Sequence, residues 1–214
     1  MRSPLYRQII LATGLSVSVA AHSAGFSTVG DSVSVLYTGN APGLSAQSVY
    51  TLTAIENAGT TWVFSGTLEN TSSVSSRISI AGFNTSGLVD LTGSSASGGF
   101  DRVSAGAMPK GDSVDICFKN SGGANCAGGG GTGVWNTDNP LQFSFTIQLS
   151  NALSVLDLGD YAVRFQSAPC PGNMAYVAYE QFAPSPVPLP AAGWLMFSAI
   201  TGLGAAKLRN RKRT

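Results

Sequence analysis

Residues 141–149 alternate between apolar and polar side chains almost without interruption. Leu141, Phe143, Phe145, Ile147 and Leu149 occupy every second position, with Gln, Ser and Thr between them. Successive side chains of a β-strand point to opposite faces of a sheet, so the alternation predicts a strand that is buried on one face and exposed to solvent on the other. A sheet with one apolar face needs a second layer to cover it.

Seven further short runs resemble strands and are separated by clusters of Gly, Ser, Asn and Pro. They cover 33–37, 49–55, 61–68, 75–83, 114–118, 161–165 and 175–182. No long helical repeat with caps lies between them, so we expect no helix of more than ten residues between Gly25 and Phe182. The pattern is typical of one all-β domain, an antiparallel β-sandwich over residues 24–182.

Two stretches of this domain carry weaker strand patterns. Residues 87–106 combine a short apolar run with a cluster of Gly and Ser, which predicts a long surface loop flanking a short strand. Residues 69–72 follow the run that ends at Leu68, and Asn70 favours a turn because its side chain can bond the backbone two residues on.

The start of the chain has the layout of a secretory signal peptide over residues 1–23. Arg2 and Arg7 precede an uncharged, largely apolar run over 9–21, and small residues follow up to Ser23, after which we expect cleavage. An uncleaved anchor is the alternative, but the apolar run is short against the roughly 20 residues that a membrane-spanning helix needs.

The end of the chain combines three segments in a fixed order. A Pro-rich linker over 183–190 precedes an apolar run that predicts a transmembrane helix over 191–208, and a basic tail occupies 209–214. The charges that should hold this tail in the cytoplasm and stop transfer are Lys207, Arg209, Arg211, Lys212 and Arg213. The body between the two ends holds only five basic residues against all eleven acidic ones and is expected outside the membrane.

Composition excludes several function classes. Charged residues make up 11% of the chain, against about 25% in an ordinary soluble domain, which is too few for a nucleic-acid binder. The only histidine, His22, lies in the predicted signal peptide, so histidine-dependent catalysis and histidine zinc sites are not expected. We expect no enzyme, no cofactor and no metal site.

Two pairs of acidic residues are the remaining candidates for chemistry. Asp112 with Asp115, and Asp157 with Asp160, have the carboxylates that calcium binding or glycoside cleavage requires. Neither pair lies in a recognised calcium loop, so both are interpreted as solvated turn acids. The glycines of 128–131 are interpreted as a loop, because no Lys-Ser/Thr of a phosphate loop follows them.

Three cysteines lie in the body, which export would place in an oxidising compartment. Cys117 and Cys126 are separated by a Gly-rich, Ser- and Asn-containing loop that is flexible enough to bring them together. We predict a disulfide between them, with Cys170 as the free thiol. Pairing of Cys170 with Cys117 or with Cys126 remains the alternative.

The C-terminal segments resemble a known sorting signal. Val187, Pro188, Leu189 and Pro190, followed by Ala191, the apolar run and the basic cluster, are similar to the PEP-CTERM signal in its Val-Pro-Leu-Pro-Ala form. Leu189 stands where many members have Glu. The resemblance implies processing by an exosortase, a membrane transpeptidase with a cysteine nucleophile. A plain tail anchor that is never cut is the alternative.

The body more weakly resembles the cistern family of PEP-CTERM proteins. The similarity lies in Cys117 with Phe118, in Cys126 with the glycines after it, and in residues 160–166. This second resemblance implies fold context and no chemistry.

Together, these resemblances imply an exported bacterial surface or extracellular-matrix protein that is non-catalytic and associated with exopolysaccharide and biofilm. Signal peptidase and exosortase would process it, and its contact with the membrane would be transient. The second hypothesis is a carbohydrate-binding or carbohydrate-active sandwich module, with or without calcium. An exposed aromatic strip, for instance Tyr176 and Tyr179, would favour carbohydrate binding, and full burial of the aromatic side chains would favour a matrix role.

Overall fold

The structure is a computed structural model that describes residues 23–109, 111, 113–120, 125–127, 132–168 and 176–181. In the last range, Ala178 is the residue whose side chain is described. Several predictions fall on other residues and lie outside the described part: the signal peptide up to His22, the Pro-rich linker with its sorting motif, the transmembrane helix, the basic tail, Asp112 and Cys170.

Twelve strands build the described part of the chain, and every pairing between them is antiparallel. They are β1 (Ala24–Phe26), β2 (Ser32–Gly39), β3 (Ser45–Glu56), β4 (Thr61–Asn70), β5 (Arg77–Thr85), β6 (Ser95–Gly98), β7 (Arg102–Ala107), β8 (Ser113–Lys119), β9 (Val134–Trp135), β10 (Leu141–Gln148), β11 (Leu156–Gln166) and β12 (Tyr176–Gln181). One 3-10 turn, Asn57–Gly59, joins β3 to β4. The prediction of an all-β sandwich is confirmed, and each of the eight predicted strands coincides with an observed one.

The strands form two layers along one hydrogen-bonded path. The first layer has the order β6-β10-β4-β3-β2, and the second has the order β12-β11-β5-β8-β7, with β1 on β11 and β9 on β5. The layers are joined where β12 pairs with β2, from Ala178 opposite Gly39 to Gln181 opposite Leu36. At the other end of the path β6 contacts β7, so the two layers enclose one core.

Aromatic rings from both layers fill this core. Phe145 of β10 lies 4.5 Å from Phe118 of β8, measured between ring centroids, and Tyr50 of β3 stacks on Tyr161 of β11 at 5.6 Å. Phe145 also stacks on Phe64 within its own layer. All five side chains are buried, which confirms that the alternation of β10 marks its core face.

The stretch 87–106 is not the long loop that its composition predicts. Residues 95–98 form β6 on the edge of β10, and residues 102–106 form most of β7 on β8. Between the two strands Phe100 is fully buried, with its ring 5.2 Å from that of Phe143. Small residues lack an apolar alternation, but pairing with a neighbouring strand still satisfies their backbone hydrogen-bonding groups. The buried Phe100 ring holds the segment between the two strands against the core.

The turn predicted at 69–72 begins later, because β4 continues to Asn70. The buried Asn70 amide donates to the carbonyl oxygens of Ser76 at 2.9 Å and Val134 at 3.1 Å. Its Oδ1 accepts the Ser72 N–H at 3.2 Å, which is the local bond that the turn prediction invoked. Asn70 therefore ties the end of β4 to the following turn and to β9.

Gly66 marks a crowded position in the middle of the first layer. It pairs with Tyr50 on β3 and with Phe143 on β10, and a Cβ at this position would lie 2.7 Å from Cζ of the Phe143 ring. The ring occupies the space that a side chain would need.

We expect Gly66→Ala to destabilise the protein by about 1–3 kcal/mol, because the added methyl group overpacks a dense aromatic core. The measurement is the urea midpoint of unfolding, with Ser65→Ala, an exposed neighbour on the same strand, as the matched control. Equal midpoints for the two variants would contradict this account of the packing.

Candidate functional site

An open groove crosses the solvent-facing side of the first layer, and its volume is about 340 Å³. This volume is at the lower end of the usual range for small-molecule sites. Residues of β2, β3 and β4, together with the start of β10, form it. The lining residues are Ser34, Val35, Leu36, Gln47, Ser48, Val49, Thr67, Glu69, Pro140 and Gln142.

Strand register brings these residues together from distant parts of the chain. Val49 lies opposite Ser34 on one side and Thr67 on the other, and Thr67 lies opposite Gln142. Neighbouring strands are about 4.8 Å apart, so this row of four residues spans roughly 14 Å.

A second row runs parallel to the first. Gln47 lies between Leu36 and Glu69, and its side-chain amide donates a hydrogen bond to the Glu69 carboxylate. Their side chains point outward because the core-facing positions alternate with them along each strand.

The groove can bind a ligand that is rich in hydroxyl groups. Gln142 offers two N–H donors and a carbonyl acceptor, and Gln47 offers a carbonyl acceptor and the N–H that is not bonded to Glu69. Thr67 offers a hydroxyl group. Leu36 and Val49 keep 44% and 37% of their surface exposed, so apolar surface lies beside the polar groups. Among the lining residues Glu69 is the one carboxylate, whereas glycoside cleavage needs two.

The aromatic side chains that the structure describes do not form an exposed strip of the kind that would favour carbohydrate binding. Every Phe, Tyr and Trp whose side chain is described is buried, except Trp135, which is half-buried. The side chains of Tyr176 and Tyr179 are outside the described part. The groove therefore has aliphatic rather than aromatic apolar surface.

The predicted disulfide is present between Cys117 of β8 and Cys126. Both residues are fully buried on the outer side of the second layer. There they belong to a small apolar cluster that is separate from the main core, with Ile80, Met108, Val114 and Ala162.

Lys119 secures the loop that the disulfide closes. Its ammonium group donates to the carbonyl oxygen of Asn125, although only 1% of the residue's surface is exposed. Burial, and then the nearby charge of Arg102, lower the pKa of the Lys119 ammonium. Sequence reasoning assigned no role to this lysine.

The acidic pairs were predicted to lie in turns, and for three of the four residues this is wrong. Asp115 lies on β8, and both Asp157 and Asp160 lie on β11. Asp115 accepts the N–H of Thr85 at 2.9 Å, and Asp160 accepts the side-chain amide of Asn84 at 3.0 Å. Both carboxylates thus help to hold neighbouring strands together.

Metal-ligating side chains do not cluster in the part of the chain that the structure describes: no group of three or more His, Cys, Asp or Glu residues there could hold an ion. Those same residues contain no helix that is long and apolar enough to cross a membrane.

Comparisons of the chain with protein-family models, with curated proteins and with solved structures each find no match.

We expect Cys117 and Cys126 to be recovered as one linked pair when the protein is digested without reduction and mapped by mass spectrometry. Replacing both by Ser should lower the free energy of unfolding by about 2–3 kcal/mol, because the ten-residue ring would no longer restrict the unfolded chain.

The matched control for this double substitution is Cys170→Ser, which should leave stability unchanged. A peptide that links Cys170 to either of the other two cysteines would reject the pairing.

Proposed function

We propose that the chain is an exported bacterial surface or extracellular-matrix protein, sorted by an exosortase through its C-terminal tail. Its body is non-catalytic and associates with exopolysaccharide. The observation that carries the proposal is the buried Cys117–Cys126 disulfide, because such bonds form and persist outside the reducing cytoplasm. It supports export independently of the two terminal segments.

The tail supplies the second line of support. Proline fixes its own backbone and restricts the residue before it, so Pro188 and Pro190 favour an extended segment ahead of the apolar run. An extended segment fits a protease-like groove and keeps the bond to be cut out of helical hydrogen bonding. A membrane anchor that is never cut needs only the apolar run.

We expect a host with a matching exosortase to release a mature form that lacks the apolar run and the basic cluster. Pro188→Ala with Pro190→Ala should instead accumulate as a longer precursor in the membrane. Pro184→Ala with Pro186→Ala is the matched control, since it removes two prolines of the same linker outside the motif. Deletion of residues 209–213 should also impair processing, because those charges stop transfer.

Mass spectrometry of the mature C-terminus decides between processing by an exosortase and a tail anchor that is never cut. A wild-type protein that still ends at Thr214 in such a host would overturn the sorting proposal and leave a simple tail-anchored protein.

The groove is our candidate for the contact with exopolysaccharide. Its two amides and Thr67 provide hydrogen bonds to sugar hydroxyls, while Leu36 and Val49 provide apolar surface for the C–H faces of a sugar ring. The same groove would serve the alternative function, a carbohydrate-binding or carbohydrate-active module. Of these, a carbohydrate-active module differs from the others because it would cut the sugar chain.

We expect Gln47→Ala with Gln142→Ala to weaken binding to exopolysaccharide from the producing bacterium by about tenfold or more, since each lost hydrogen bond contributes about 0.5–1.5 kcal/mol. Affinity electrophoresis measures the change. The control is Thr51→Ala with Ser144→Ala, which alters the same strands and the same face beyond the groove.

Equal binding by the two double variants would exclude the groove as the contact. Release of new reducing ends by the wild-type protein would favour the carbohydrate-active alternative.

A further inference from the structure

Two arginines lie side by side on the outer face of the second layer, away from the groove. Arg77 begins β5 opposite Gln166, and Arg164 lies on β11 opposite Ile80. Arg164 and Gln166 are two residues apart on one strand, so they share a face. Each arginine keeps only 8% of its surface exposed, which is little for a charged side chain.

Arg77 is held in place by two contacts. One terminal nitrogen, Nη2, donates to the Gln166 side-chain oxygen at 2.8 Å, and the guanidinium carbon lies 5.7 Å from the centre of the Trp135 ring. A cation over an aromatic face is attracted by the ring. The Nε of Arg77 is buried and has no hydrogen-bond partner.

Arg164 is less well satisfied. Its Nε and Nη1 are both buried, and neither has a hydrogen-bond partner. A buried charged group without partners is costly, because it loses its contact with water and gains nothing in return. The structure gives no described hydrogen bond to offset this cost.

The described residues supply no counter-charge for the pair. No Asp or Glu in the described ranges forms an ion pair with Arg77 or Arg164. The partner that does contact Arg77, Gln166, is neutral. Burial, and then the like charge of Arg77, lower the pKa of the Arg164 guanidinium.

We propose that Arg77 and Arg164 form a binding site for an oxyanion, a carboxylate or a sulfate group. A guanidinium is a planar donor that matches such groups in shape and charge. The contacts of Arg77 with Gln166 and Trp135 fix that side chain before binding. Nε and Nη1 of Arg164 have no hydrogen-bond partner, and they would supply donors that stay buried until an anion enters. The oxyanion is either a small free ion or an acidic sugar of the exopolysaccharide.

The site goes beyond the proposed function, since it does not depend on processing of the tail. It also differs in chemistry from the groove, where Glu69 is negative and no lining residue is positive. The groove suits neutral hydroxyl-rich sugars, whereas the arginine pair suits acidic ones.

The test uses the full chain after export to an oxidising compartment, with sodium sulfate and sodium galacturonate as probes. When the anion concentration is ten times the dissociation constant, bound anion should raise the melting temperature of the wild type by about 3 °C. Sodium chloride at the same ionic strength corrects for general salt effects.

Arg164→Met is the decisive variant, because it removes the charge and keeps much of the volume. If Arg164 lacks a partner, this variant should melt at or above the wild-type temperature without anion and should lose the anion-dependent rise. Arg102→Gln removes a charge from an exposed position and should keep the rise.

A wild type that does not respond to either anion would overturn the proposal. So would a strongly lowered melting temperature of Arg164→Met without anion, because it would mean that Arg164 has a structural partner. Failure of Arg164→Met to fold would have the same meaning as a strongly lowered melting temperature and would also overturn the proposal.

Polymers distinguish the two sources of the oxyanion. Retention of the wild type, but not of Arg164→Met, by polygalacturonate in affinity electrophoresis would assign the site to acidic polysaccharide, with neutral dextran as the control. A response to the free anions without retention would assign the site to a small ion. The C-terminal mass that tests sorting is measured separately, so either proposal can fail alone.

Discussion

Contact between aromatic rings of the two layers is the interaction on which the rest of the structure depends. Tyr50, Phe145, Phe118 and Tyr161 link four strands through the middle of the sandwich. Few charged residues are available to stabilise the surface, and surface ion pairs contribute little in any case. The stability of the domain therefore rests on burial of large rings, and crowding at Gly66 shows how tightly they are packed.

The strands that sequence reasoning identified are those that contribute large side chains to this core. An apolar residue at every second position is a signal that a reader of the sequence can see, as in β10. β6 consists of Ser, Ala and Gly, and β1 and β9 are only three and two residues long, so they lack that signal. They exist because a neighbouring strand offers backbone partners, which is tertiary information.

The candidate sites also divide into features that the local sequence indicates and features that depend on tertiary structure. The disulfide was predicted from the expected export and from the composition of the short loop between the two cysteines, and both are signals that a linear sequence carries. The groove depends on Val49, Thr67 and Gln142 being neighbours across three strands, and register sets this arrangement. The arginine pair depends on the burial of Arg164, which nothing in its local sequence indicates, because an arginine in a strand is usually solvated.

The position of β12 determines how the domain would carry mechanical load. β12 is the last described strand before the C-terminal segments, and it is hydrogen-bonded on both sides, to β2 and to β11. Its pairing with β2 ends at Gln181 opposite Leu36, and Leu36 lines the groove. Under the proposed function, tension between the membrane-anchored precursor's C-terminus and a polymer held in the groove would pass directly from β12 to β2. Because this force would pass through the hydrogen bonds between β12 and β2, the aromatic core would not have to carry it.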